Sequence, residues 1–119
     1  VSGANPPTVP TEHKPEDAMG DREEIARFYD RGSDLMRELL EALAAAPEHL
    51  RTFREVEDVV AWPRRRIASV LGGVWHLQMT EFGGRRPYRL MDEDRSASGR
   101  WEIWTDTIQA DAIRNAQGA

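Results

Sequence analysis

Six arginines, Arg64, Arg65, Arg66, Arg85, Arg86 and Arg89, fall between Ala61 and Met91 of this 119-residue chain, with one acid, Glu81, among them. A guanidinium can hold a phosphate, or the edge of a guanine, through two parallel hydrogen bonds, so such a cluster points to nucleic-acid recognition. The whole chain carries a formal charge of −5, with 16 basic and 21 acidic residues. Six arginines against one acid make the segment +5, which leaves −10 for the remainder. A phosphate backbone responds to the local field rather than to the total.

Other reactive side chains are sparse. There is no cysteine, which excludes disulfides, thiolate zinc sites and a cysteine nucleophile. His13, His49 and His76 are the only histidines, and no two are spaced as ligands on one helical turn, so no metal or cofactor is expected. Ser69 and His76 lie seven residues apart, about 10 Å along a helix, too far for a nucleophile and its base. Asp92-Glu93-Asp94 lacks the alternation and the glycine of a calcium loop and reads as a solvated tip. Gly83-Gly84-Arg85-Arg86 lacks the strand-before, helix-after setting of a nucleotide loop; it reads instead as a turn whose arginines touch a phosphate backbone. An enzyme is not expected.

The elements that must position the arginines can be read from periodicity and caps. Residues 1–20, with Pro6, Pro7, Pro10 and Pro15 among small and polar neighbours, read as a disordered tail. Residues 21–116 read as one domain. Asp21 and Glu24 suggest a capped helix start. Ile25, Phe28, Tyr29, Met36, Leu39, Leu40 and Leu43 then follow a period of about 3.6 residues. Gly32-Ser33 interrupts that run, leaving one long helix with a weak point or two helices meeting there, and Pro47 ends it. Thr52 and Glu55 form a capping box for a short helix, and Pro63 opens another that runs from Arg64 to about Gln78 or Glu81. After Gly83-Gly84 the period falls to about two over residues 87–91 and 100–105, a hairpin around a polar tip. Thr105 or Asp106 caps a last helix containing Ile108, Ala112 and Ile113.

On the helix from Arg64, the residues Ile67, Val70, Leu71, Val74, Leu77 and Gln78 fall on one side, with Arg65, Ser69, Gly72 and His76 opposite. Hydrogen-bonding side chains with small residues between them suit close approach to a DNA groove. The bland alternative is a solvated amphipathic face, which must then explain Gly72-Gly73 as close packing or a helix break.

Phe28-Tyr29-Asp30-Arg31, the stretch Arg64–Gly73 and the hairpin and helix from Trp101 to Ala116 resemble small bacterial winged helix-turn-helix proteins, a largely uncharacterised family. The resemblance implies a mainly α fold with a β-hairpin wing (α+β) and a DNA-binding or regulatory role, often as a dimer. It brings no catalytic residues. The acids at the wing tip depart from the family pattern, because phosphate repels them.

The expectation is therefore a cytoplasmic transcription regulator that binds double-stranded DNA as a homodimer and reads the major groove with the helix from Arg64. Arg64, Arg65, Arg66, Ser69, His76, Arg85, Arg86 and Arg89 are its candidate contacts. The helical stretch from Asp21 to Ala46 has more apolar positions than a small core requires, so a dimer formed through the first helix, the last helix, or both is expected. Four tryptophans, Trp62, Trp75, Trp101 and Trp104, are many for one small domain, and with the acidic body and the acidic wing tip they lend support to the alternative, a winged-helix module that binds protein or dimerises without binding DNA.

Overall fold

The computed structural model describes residues 17–118. They form an α+β domain of five helices and one small antiparallel sheet. The helices are α1 (Arg22–Arg31), α2 (Asp34–Ala44), α3 (Phe53–Val60), α4 (Arg64–Glu81) and α5 (Thr107–Gln117). The strands are β1 (Arg51–Thr52), β2 (Arg89–Met91) and β3 (Glu102–Trp104), in the order β1-β3-β2. Register pairs Leu90 with Ile103, and Arg51 with the same Ile103 from the other side.

Local chemistry sets most boundaries. The Asp21 carboxylate accepts from the Glu23 amide to start α1, and Ser33 accepts from the Met36 amide to start α2, so the chain breaks into two helices at Gly32-Ser33. Arg37 secures that joint by donating to the carbonyls of Tyr29 and Asp30 at 2.9 and 2.7 Å. Thr52 and Glu55 form the expected box: the Glu55 amide donates to Thr52 Oγ1 at 3.2 Å and the Thr52 amide to Glu55 Oε1 at 2.7 Å. Ala61 takes a left-handed conformation (φ 58°), turning the chain sharply between α3 and α4. Gly83 and Gly84, at φ 61° and 83°, end α4, with the Gly84 amide donating to the Gln78 carbonyl. Asp106 and Gln109 box the start of α5.

The core gathers Ile25 and Phe28 of α1, Leu39, Leu40 and Leu43 of α2, Val74 of α4, Ile103 of β3 and Ile113 of α5. Phe28 and Phe82 meet with ring centroids 4.9 Å apart. The apolar positions of α1 and α2 that suggested a dimer surface are thus largely absorbed inside the domain. Trp62, a candidate interface residue, is buried in the core as well. Gly73 is explained by packing: a Cβ there would sit 2.7 Å from the Met36 methyl of α2.

Two readings need correction. Residues 1–16 of the expected tail lie outside the described residues, but 17–20 do not belong to a tail. Met19 is buried, its amide donates to the Arg86 carbonyl, and Gln109 Nε2 donates to the Met19 carbonyl at 2.9 Å. The third strand, β1, was not anticipated. It is two residues long, too short to show a period.

Candidate nucleic-acid interface

The turn at Ala61 sets α3 against α4 and leaves one face of α4 outward. Arg65, Ser69, Gly72 and His76 are exposed on it, and Arg66 is exposed to one side. From Arg64 to Thr80 the helix carries no acid. Its first turn also holds no side-chain cap, and three arginines stand where a helix dipole favours carboxylates. Arg64 finds relief in Glu57, with Nε to Oε2 at 2.9 Å. Among the described residues Arg65 and Arg66 have no ion partner. A helix start with free amides and unneutralised cations is electrostatically suited to an anion such as phosphate. Gly72 has open space around the position of a Cβ, so packing does not explain it, unlike Gly73.

The three later arginines are not brought to this face. Arg85 turns back to α1, where Nε meets both carboxylate oxygens of Glu24 at 3.0 and 3.1 Å. Arg89 Nε holds Asp106 Oδ2 at 3.1 Å at the start of α5. Arg86 is only 2% exposed. The turn after α4 therefore packs inward and joins elements, and does not offer a row of arginines to a backbone.

Two other arginines lie beside the start of α4. Arg54 in the first turn of α3 and Arg100 at the foot of the hairpin line one cleft of about 250 Å³ with Arg64 and the acid Glu93. The available signal was positional: a basic residue just inside the boxed start of α3, and another where the polar tip rejoins β3. At the tip itself, Arg95 binds Asp92 at 3.2 Å and holds its carboxyl below the usual range, mainly through that side-chain hydrogen bond. Asp92 therefore serves to shape the loop.

Among the described residues no three His, Asp or Glu side chains gather closely enough to hold a metal ion, and no helix is long and apolar enough to cross a membrane.

No family model, curated protein or solved structure matches this chain. Five of the eight expected contacts, Arg64, Arg65, Arg66, Ser69 and His76, share α4, and Arg54 and Arg100 extend the basic surface from its first turn toward the hairpin.

Proposed function

We propose that the domain is a winged helix-turn-helix that binds double-stranded DNA, with α3 and α4 as the helix-turn-helix, α4 in the major groove and β2–β3 as the wing. The order of elements from β1 to β3, the sheet order β1-β3-β2 and the left-handed turn at Ala61 support that architecture. The observation that carries DNA binding is the start of α4: an uncapped helix N-terminus with Arg64–Arg66 in its first turn, of which, among the described residues, only Arg64 is ion-paired, to Glu57. Arg65, Ser69, Gly72 and His76 then offer donors and a small gap to base edges, while Arg54 and Arg100 hold the backbone on either side.

Fluorescence anisotropy on random-sequence duplex at low and moderate salt tests this. Binding at low salt that weakens steeply as salt rises is expected, and no binding at about 50 mM salt removes the reading.

One observation favours a second reading, a module that docks on protein. Trp75 is 58% exposed and Met79 52%, both on α4. A partner held mainly by such apolar side chains is much less sensitive to salt, so the same titration separates the two.

A further inference from the structure

Among the described residues, Arg86 holds the only buried side-chain polar atom without a hydrogen-bond partner, its Nε. Its main chain is clamped: the Arg86 amide donates to the Asp17 carbonyl and its carbonyl accepts from the Met19 amide, both at 2.8 Å. The side chain lines a cavity of about 330 Å³ between α4 and the hairpin. The other walls are apolar or aromatic: Phe53, Leu71, Trp75, Tyr88, Leu90 and Trp101, with Gln78 beside them donating to the Gly84 carbonyl. No carboxylate lines the cavity. Burial pulls the Arg86 guanidinium below its ordinary value, and Asp17, near enough to be felt, makes no bond to it. The group still carries its charge at neutral pH.

A buried cation with no carboxylate bonded to it is costly, and it lowers that cost by binding an anion. One guanidinium suits one carboxylate, since a dianion would need further donors. The rest of the cavity selects a flat apolar body, and its volume sits at the small end of the roughly 300–1,000 Å³ common for ligand sites. We propose that this cavity binds a small aromatic monocarboxylate, with the carboxylate on Arg86 and the ring against Leu71, Trp75 and Trp101. Tyr88 does not compete as an anion, because burial pushes its hydroxyl up to about 12.

The test uses the full chain without DNA, so its outcome is independent of duplex binding. Phenylacetate, 1-naphthoate and phenylacetamide are titrated by calorimetry and by tryptophan fluorescence, which Trp75 and Trp101 should report. Saturable binding of at least one acid is expected, with phenylacetamide about tenfold weaker than phenylacetate or worse, the usual effect of losing a charged hydrogen bond. Arg86→Met should bring acid and amide to the same affinity, and Leu71→Trp, which fills the cavity while keeping Arg86, should abolish both. Absence of saturable binding by either acid at millimolar concentration overturns the proposal, as does equal affinity of wild type for acid and amide. So does an acid preference that survives in Arg86→Met. Should that variant fail to fold, the acid-to-amide ratio in wild type and the Leu71→Trp result decide.

Discussion

Arg85 and Glu24, 61 residues apart, form a bidentate pair that ties the turn after α4 to the first helix. The Glu24 side chain is 9% exposed and its partner 46%, so losing the guanidinium strands a nearly buried carboxylate. Arg85→Ala and Glu24→Gln should each lower the thermal midpoint, and the double substitution should lose clearly less than their sum, because the two share one interaction. Duplex affinity per folded molecule should stay at the wild-type value in Arg85→Ala. Additive losses, or a selective loss of DNA binding, would show that Arg85 acts elsewhere.

Gly72 and Gly73 are adjacent but differ in what surrounds them. A Cβ at Gly72 meets nothing within 4 Å, whereas one at Gly73 presses on the Met36 methyl. Gly72→Ala should therefore stabilise the fold by roughly 0.5–1 kcal/mol, the ordinary helix preference. Gly73→Ala should gain less, since Met36 must swing aside. If α4 lies in a DNA groove, Gly72→Ala also weakens binding while it raises stability. A variant that is more stable and binds duplex as well as wild type would remove Gly72 from the interface.

Acid should weaken the α3 cap. The backbone amide of Thr52 is the main reason that the Glu55 carboxyl titrates below its usual value. A depressed folded value means that this contribution is complete above the unfolded carboxylate range, about 4.3, and is lost as pH falls through the lower folded value. Glu55→Gln keeps a capping side chain but cannot titrate, so its urea midpoint should fall less steeply below about pH 4.5. Asp92 and Glu81, also depressed, remain in the variant and leave a residual slope. Thr52→Ala, which removes the hydroxyl half of the box, should cost about 1 kcal/mol at neutral pH. An identical acid slope in wild type and Glu55→Gln would rule out this linkage.

What could be read from the sequence was what is local. The helices, the Thr52–Glu55 box and the outward face of α4 each depend on residues a few positions apart, and periodicity and cap chemistry express them directly. The fates of Arg85 and Arg89 depend on Glu24 and Asp106, and that of Arg86 on Asp17 and Met19, partners that only the folded chain brings near. Met19 looked like tail because its proline-rich neighbours mask a single apolar residue whose seat is made by Arg86 and Gln109. The apolar surplus of α1 and α2 was a miscount of the same origin, since α5 and α4 pack against these helices and enlarge the core beyond what one amphipathic stripe suggests.

The arginines divide into three groups that a single set of titrations can tell apart. Arg65 is exposed and without an ion partner among the described residues, and on the proposed docking it reaches a base edge. Arg65→Ala should weaken binding to a selected site by about 1–3 kcal/mol and relax preference at one base pair. Arg54 and Arg100 line the cleft beside Arg64, and on the same docking they meet phosphates. Alanine at either should weaken all sequences alike and reduce the slope of log affinity against log salt by about 0.9. Arg64 should behave as a weaker member of that group, because Glu57 already holds part of its charge and must yield it to the phosphate. Arg85 and Arg89, engaged with Glu24 and Asp106, should leave both slope and preference unchanged. A monomer using Arg54, Arg66 and Arg100 on the backbone then gives a wild-type slope near −3, and a two-headed complex about twice that. If Arg54→Ala and Arg100→Ala leave the slope intact while Arg85→Ala reduces it, the basic surface has been placed on the wrong side of the domain.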